Sequence, residues 1–419
     1  MEGSPQPEEH HQAFLALVSC CRRIDNGDQG TWTRLARDEA LLRTVLSLAN
    51  QHGVIGLALA SFERQGVVAN LPGRQSVEMA ELLKRFRRRA MVFEVERNRI
   101  LSALRAGEVG DPVVLKGAAL ASMHFREPVE RFYGDIDLLL PAEQVEDAAR
   151  ALTPLGYVNP FSQTAVEGYR SHHFHLRVAN GKGGIVELHW GLERPDIPFR
   201  LDAASFLAQS VRWKNGKVEL RVPRPEHMLL HIVLQNVQEA FTRLTRLVDI
   251  DRVVAASPDM DWDLAVGQAR SGNLGAATAL SLQLARRVLG TPVPRSAVVG
   301  ACPSRWARGH LALLRPAAAM ARLGEKPSRA AEELLRLWLL PPRERRHTFV
   351  KLLSPRSEDP LRWIWEGGAS PEDSRRSVGW SLRNASRVVG RQLGAYAGGL
   401  GRWTTPAGRS ELRFWRDAG

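Results

Sequence analysis

The sequence predicts an α+β fold, in which a core of short strands lies between helical regions. From Val113 onward, apolar residues occur in runs of strand length separated by helical patterns. Before this point and again after Pro225, apolar residues recur at helical spacing. Two of the short runs flank a glycine-rich turn at 180–184, which is typical of a hairpin. We expect four regions: a helical region at 1–106, the α+β core at 107–224, a helical domain at 225–300, and a basic, mainly helical region at 301–419.

Composition and length indicate a soluble globular protein. The 419 residues suffice for two or three domains, and 44% hydrophobic with 25% charged residues is ordinary for such proteins. No window contains 18 uninterrupted apolar residues, and the first residues lack the basic and apolar parts of a signal peptide. We therefore expect a cytoplasmic protein without a transmembrane segment. Its three cysteines lack the spacing of a metal-binding pair.

Positive charge is concentrated in the C-terminal region. Residues 301–419 contain 22 Lys plus Arg and 11 Asp plus Glu, which gives this region +11 of the net charge of +13. Such a segment attracts phosphates, nucleic acid or anionic membrane. A solvated, arginine-rich helical surface explains the charge without any partner, and nucleic acid binding is the alternative. A membrane-surface helix around Arg383, Arg387 and Arg391 ranks lowest, because glycines soon interrupt that pattern.

Within these regions the patterns predict individual elements. The longest helix of the N-terminal region is expected over Val77–Leu104, in a helical layer that packs on the next domain. The predicted strands are Val113–Lys116, Asp135–Leu140, His173–Val178, Ile185–Trp190 and Lys217–Val222. The predicted helices that follow the first strand are Ala118–Phe125, Pro141–Leu155, Glu226–Ala255, and Leu264–Leu289 with a break near Gly272.

Two aspartates at the start of the second predicted strand suggest a metal site. Alternate residues of a strand face the same side, so Asp135 and Asp137 lie side by side while Ile136 points into the core. Two adjacent carboxylates repel each other unless a positive charge lies between them. Mg²⁺ fits, since it prefers oxygen ligands and takes its remaining ligands from water and substrate phosphates.

Two further positions extend this hypothesis. Gly117 lies between a strand and a helix, where the missing side chain lets a phosphate approach backbone N–H groups, and Lys116 precedes it. Glu187 lies within an apolar strand and needs a partner there. If its strand pairs beside the aspartate strand, three carboxylates form a cluster that can bind two metal ions about 4 Å apart.

The order of these motifs resembles a known superfamily. Leu115-Lys116-Gly117, then Asp135-Ile136-Asp137, then Val186-Glu187-Leu188-His189-Trp190 resembles the DNA polymerase β-type nucleotidyltransferases and, more narrowly, the uncharacterised nucleotidyltransferase family, over roughly residues 40–255. The resemblance implies a nucleotidyltransferase core with a mixed β-sheet. It also implies Mg²⁺, with two ions expected, on Asp135, Asp137 and Glu187, and an NTP, with ATP expected, bound by its phosphates at the glycine turn.

The glycine turn departs from the superfamily pattern. The usual Gly-Ser or Gly-Gly is here Gly117-Ala118, so the hydroxyl that commonly contacts phosphate is absent. The interval from Gly117 to Asp135 is also longer than in the polymerases. We expect Lys116, Gly117 and Ala118 to form the nucleotide-binding turn, with Lys116 compensating for the missing hydroxyl.

Other candidates have alternative explanations. Arg131 contacts the triphosphate or is an exposed loop arginine. Asp249 is a general-base candidate by similarity to the kanamycin nucleotidyltransferases, although ion pairs with Arg243 and Arg246 also explain its position. Histidines near the hairpin form a zinc site or bond only to neighbouring groups. These histidines are His172, His173, His175 and His189. Packing is expected for His227 and His231.

The resemblance implies an enzyme that moves an NMP from an NTP to a hydroxyl or phosphate acceptor and releases pyrophosphate. A small molecule, peptide or protein is the expected acceptor. One alternative is an RNA-directed nucleotidyltransferase, suggested by the basic C-terminal region. Another is a non-catalytic nucleotide-binding accessory or antitoxin-like protein, against which the three retained carboxylates argue.

Overall fold

The computed structural model describes residues 7–23, 29–159, 170, 173–195, 197–216 and 218–302, with a few residues between 336 and 345. The chain divides into two compact units, Met1–Glu325 and Lys326–Gly419. All elements described below belong to the first unit. The expectations for Arg383, Arg387 and Arg391, and for most of the basic region at 301–419, lie outside the described residues.

Helices dominate the first unit and surround one sheet. The helices are α1 (Pro7–Cys21), α2 (Gln29–Arg37), α3 (Glu39–Gln51), α4 (Ile55–Arg64), α5 (Gly73–Ala106), α6 (Lys116–His124), α7 (Val145–Ala151), α8 (Ala203–Ala208), α9 (Pro225–Gln238), α10 (Leu244–Ala256), α11 (Trp262–Ser271), α12 (Gly275–Leu289) and α13 (Arg295–Ala301). The strands are β1 (Val113–Val114), β2 (Ile136–Leu139), β3 (His175–Ala179), β4 (Ile185–His189), β5 (Val211–Asn215) and β6 (Val218–Val222). Among the described helices, none is long and apolar enough to cross a membrane.

The six strands form one mixed sheet in the order β3-β4-β2-β1-β6-β5. Strand β2 pairs parallel with β4 and antiparallel with β1. Every residue of β2 is buried, including Asp137. On one face, Leu139 joins a core cluster with Val113, Leu115 and Phe206. The predicted α+β fold with a mixed sheet is confirmed.

Strand β5 was not predicted. It pairs antiparallel with β6, with Trp213 opposite Leu220. The signal was present in the sequence, since Asn215-Gly216 is a favoured pair for a tight hairpin turn and Gly216 has a φ of +57°. Only the second strand of this hairpin was recognised.

The helix predicted over Glu226–Ala255 is wrong as a single element. The chain forms α9 and α10 instead, and Ala240 and Phe241 between them have φ values of +52° and +59°. This left-handed backbone ends α9, where the amide of Phe241 donates to the carbonyl of Asn236 at 2.8 Å. Periodicity could not show the break, because Phe241 is itself buried and extends the apolar pattern.

Two other boundaries differ from the predictions. Lys116, placed at the end of the first strand, begins α6 with a φ of +48°. The helix predicted over Pro141–Leu155 contains α7 as its only α-helical part, with short 3-10 turns on either side. By contrast, the predicted break near Gly272 is confirmed by the gap between α11 and α12.

The N-terminal helices α4 and α5 contact the turn at 128–131. A Cβ atom on Gly56 of α4 would lie 1.9 Å from the backbone oxygen of Val129, so only glycine permits this approach. Nearby, Arg64 of α4 forms an ion pair with buried Glu130 at 2.5 Å. The region expected to be a simple helical layer therefore positions the segment that leads to Asp135.

Candidate active site

Three carboxylates meet on one face of the sheet, as the sequence predicted. In the parallel pairing of β2 with β4, Asp137 lies directly opposite Glu187, and Asp135 precedes Asp137 by two residues. Each of the three offers an oxygen atom, and these atoms lie within 4.8 Å of one another. The strand register, which the sequence could not specify, thus produces the cluster.

Lys116 lies between two of these carboxylates. Its Nζ atom is 2.5 Å from Oδ1 of Asp137 and 3.5 Å from Oε2 of Glu187. Burial alone would lower the pKa of Lys116, but the charges of Asp137 and Glu187 outweigh it and raise that pKa. For Asp137, the facing Lys116 and His189 outweigh burial and lower its pKa. The lysine is therefore charged and compensates for part of the negative charge.

Asp135 shows that this compensation is incomplete. Burial, followed by the charges of Asp137 and Glu187, raises the pKa of Asp135 to about 6. A crowded set of oxygen donors with excess negative charge suits a divalent cation such as Mg²⁺. The donor set at Asp135, Asp137 and Glu187 therefore fits the metal that the resemblance implies.

Two histidines adjoin the carboxylates. Nε2 of His189 lies 2.9 Å from Oδ1 of Asp137 and 3.4 Å from Oε2 of Glu187. His175, on the neighbouring strand β3, places Nε2 at 3.7 Å from Oε1 of Glu187. His175, Glu187 and His189 form a second group whose potential ligand atoms lie within 4.8 Å of one another.

A polar cavity of about 270 Å³ opens beside the carboxylates. One wall comprises residues near the glycine turn and β2, and the other comprises residues of α9, α10 and the turn between them. The lining residues are Gly53, Lys116, Gly117, Arg131, Phe132, Tyr133, Gly134, Asp135, Asp137, Gln235, Glu239, Arg243, Thr245 and Arg246. Both walls carry basic groups, and the wall with the aspartates offers oxygen ligands, a combination that suits a metal-bound polyphosphate.

At the predicted nucleotide-binding turn, two residues line the cavity and one does not. Lys116 and Gly117 face the cavity, whereas Ala118 is fully buried and does not contribute to its lining. The carbonyl oxygen of Ala118 accepts a hydrogen bond from Arg97 of α5 at 3.3 Å. A Cβ atom on Gly117 would lie 2.6 Å from Cβ of Tyr133, so packing also requires glycine here.

Arg131 and Asp249 bind each other. Two guanidinium nitrogens of Arg131 donate to the two carboxylate oxygens of Asp249 at 2.6 and 2.9 Å. Asp249 is fully buried and Arg131 is 8% exposed, so Arg131 is not the exposed loop arginine that the sequence also allowed. A third nitrogen of Arg131 donates to the backbone oxygen of Phe132, while the pair with Asp249 ties α10 to the segment before β2.

The remaining candidates take structural positions in the described part of the chain. His227 stacks on Phe206 with ring centroids 4.3 Å apart, and His231 is buried on the same helix. These contacts match the packing expected for both. His172 lies outside the described residues.

The turn between α9 and α10 contributes residues that sequence reasoning did not assign to the cavity. Arg246 forms ion pairs with Glu239 at 2.8 Å and with Asp249 at 3.6 Å, the second being the spacing that the sequence suggested. Arg243 is exposed, and no ion pair involves it among the described residues. No local signal marks these residues, because only the break in the helix brings them over the carboxylates.

A cluster of three carboxylates on paired strands, next to a glycine turn and a polar cavity, agrees with the nucleotidyltransferase class that the motifs indicated. The chain belongs to the uncharacterised nucleotidyltransferase family, whose model matches residues 38–290. This membership supports a general function in nucleotidyl transfer. No curated protein and no solved structure matches the chain significantly.

Proposed function

We propose that this protein transfers an NMP from an NTP, with ATP expected, to a hydroxyl or phosphate acceptor and releases pyrophosphate. The carboxylate cluster beside the cation-lined cavity is the observation that carries the proposal. The acceptor class that we favour is a small molecule, peptide or protein. Cytoplasmic location remains a prediction from the sequence.

Asp135, Asp137 and Glu187 are the residues that would hold Mg²⁺. When bound, the metal supplies positive charge to the phosphates and lowers the pKa of a coordinated hydroxyl. In the present arrangement Lys116 compensates for part of the negative charge of Asp137 and Glu187. The Lys116 ammonium lies on the cavity wall and would contact phosphate oxygens of a bound NTP, together with backbone N–H groups near Gly117.

Arg243 is the cavity residue best placed to bind the triphosphate. Its side chain is exposed on the cavity wall, whereas Arg131 and Arg246 already bind Asp249 and Glu239. An arginine without a carboxylate partner can donate two hydrogen bonds to phosphate without first breaking an ion pair. Arg131 would then act by fixing the cavity wall.

Asp249 has a positional role in this proposal. Both of its oxygens accept hydrogen bonds from Arg131, and its side chain is fully buried. A general base must reach the proton that it removes. The contacts of Asp249 therefore favour a role in holding Arg131, and its role as a base remains a prediction from the resemblance.

The decisive experiment is incubation of the full chain with each labelled NTP and Mg²⁺, with and without cell extract. Wild type should label an acceptor, and Asp137→Ala should abolish labelling. Asp147→Asn is the matched control, because Asp147 is exposed on α7 and pairs only with Arg150 in the described structure. Full transfer by Asp137→Ala would contradict the mechanism, and the chemical identity of the labelled product assigns the acceptor.

Calorimetry of NTP binding with Mg²⁺, combined with an assay of pyrophosphate release, separates the enzyme from a non-catalytic nucleotide-binding protein. Both would bind an NTP with Mg²⁺, but only the enzyme would convert it to pyrophosphate in the presence of its acceptor. Labelled RNA as the product would support the RNA-directed alternative instead.

A further inference from the structure

We propose that His175, His189 and Glu187 form a separate site for a divalent transition-metal ion, with Zn²⁺ as the expected occupant. This site adjoins the carboxylate triad and shares Glu187 with it. It is distinct from the triad in its donor atoms, because two of its three ligands are imidazole nitrogens.

The sheet itself brings the three donors together. In the antiparallel pairing of β3 with β4, His175 lies directly opposite His189. Glu187 precedes His189 by two residues and so faces the same side of the sheet. Donors on paired strands are held more rigidly than donors on loops, which favours a site that is formed before the ion binds.

The distances suit a small tetrahedral ion. Ligand atoms about 2.1 Å from a tetrahedral metal lie about 3.4 Å from one another. The observed separations are 3.4 Å from Nε2 of His189 to Oε2 of Glu187 and 3.7 Å from Nε2 of His175 to Oε1 of Glu187. The potential ligand atoms of all three residues lie within 4.8 Å of one another, so small side-chain rotations would complete the coordination, with at least one position left open.

The contacts of His189 are compatible with an ion at Nε2. Without an ion, Nε2 lies 2.9 Å from Oδ1 of Asp137 and donates a hydrogen bond to that carboxylate. An ion at Nε2 would displace this proton, and Nδ1, which lies 3.3 Å from the backbone oxygen of Gly191, would then donate to that carbonyl. Metal-binding histidines commonly show this arrangement, in which the second ring nitrogen donates to a backbone carbonyl.

His175 adds a second observation. Its Nδ1 atom is buried and has no hydrogen-bond partner among the described residues. A buried polar atom without a partner costs about 1–3 kcal/mol, so the described hydrogen bonds do not account for the position of this ring. The other nitrogen, Nε2, faces Glu187 at 3.7 Å, too far for a hydrogen bond, and an ion between them would be its partner.

The donor set also selects the ion. Imidazole nitrogens favour Zn²⁺ and related transition ions, whereas Mg²⁺ prefers oxygen ligands alone. We therefore expect the carboxylate triad and the histidine site to differ in metal preference.

Equilibrium dialysis of the full chain against Zn²⁺ in excess Mg²⁺, with metal content measured by atomic emission, tests the proposal. Wild type should retain one equivalent of Zn²⁺. His175→Ala should lower the Zn²⁺ affinity at least about tenfold. His10→Gln on α1 is the matched control and should bind Zn²⁺ like wild type. Co²⁺ should give an absorption spectrum typical of nitrogen ligands in wild type and lose it in His175→Ala.

Asp135→Asn keeps this test independent of the proposed activity. Asp135 belongs to the carboxylate triad but not to the histidine group, so this variant should lose nucleotide transfer and retain Zn²⁺. If His175→Ala does not fold, as judged by near-ultraviolet circular dichroism, His175→Asn replaces it. No Zn²⁺ retained by wild type, or equal retention by a folded His175 variant, would overturn the histidine site even if transfer depends on Asp135.

Discussion

Two clusters in this protein combine acidic and basic side chains but differ in how their charges are matched. At the carboxylate triad, Asp135, Asp137 and Glu187 face Lys116, and the cluster opens onto a cavity. At the second cluster, Arg131 binds Asp249 through two parallel hydrogen bonds, and Asp249 is inaccessible. The first retains excess negative charge and the second does not.

This difference separates a site for a ligand from a structural contact. A fully paired and buried ion pair offers nothing to a ligand, and it mainly fixes the elements that carry it. Carboxylates that raise one another's pKa, as at Asp135, are held together at a cost in folding free energy. Such crowding is typical of sites that bind cations. The two clusters should therefore respond to substitution in opposite ways.

The largest expected effect is that of Asp135→Asn on transfer. Loss of a metal ligand should lower the rate at least about 10³-fold, because a bound metal contributes several kcal/mol to transition-state stabilisation. Without metal at pH 8, the same change should raise the free energy of unfolding by about 1–2 kcal/mol, since it removes one repelling charge. Urea denaturation and the transfer assay measure the two effects. If Asp135→Asn lowered the stability and retained transfer, the carboxylate triad would be a structural contact and not a ligand site.

The next effect concerns the buried pair. Asp249→Asn should lower the free energy of unfolding by about 3 kcal/mol, because Arg131 would remain buried without a counter-charge. The double variant Arg131→Met with Asp249→Leu should recover most of this loss, and denaturant unfolding measures both. Near-normal transfer by a stable double variant would show that neither residue contacts the substrate. Complete loss of transfer in that stable variant would instead support Asp249 as the base.

The smallest effect is expected at Glu193, a carboxylate outside both clusters. Burial raises its pKa to about 7, and its Oε2 atom has no hydrogen-bond partner among the described residues. Because the folded-state pKa lies above the unfolded value of about 4.5, stability should fall as the pH rises from 4.5 to 7. Glu193→Gln should therefore stabilise the protein by about 1–2 kcal/mol at pH 8, after allowance for solvent screening, and by almost nothing at pH 4.5. Denaturation curves at both pH values test this, and an equal effect at both would contradict it.

Much of the carboxylate triad was predictable because a strand has a simple period. Asp135 and Asp137 had to share a face once their strand was recognised, and Glu187 was conspicuous among apolar neighbours. Arg243 was not assigned to the cavity, because its place there depends on the left-handed turn at Ala240 and Phe241. Local patterns carry little information about such a turn when its residues are not glycine.

The sequence by itself determined the α+β class, the order of the motifs and the identity of the three carboxylates, because strand and helix periods and residue chemistry are local properties. Tertiary structure decided that Asp137 lies opposite Glu187, that Lys116 lies between them, and that His175 meets His189. It also decided that Asp249 binds Arg131. Each of these contacts joins residues far apart in the chain, and only the strand register and the packing of α10 bring them together.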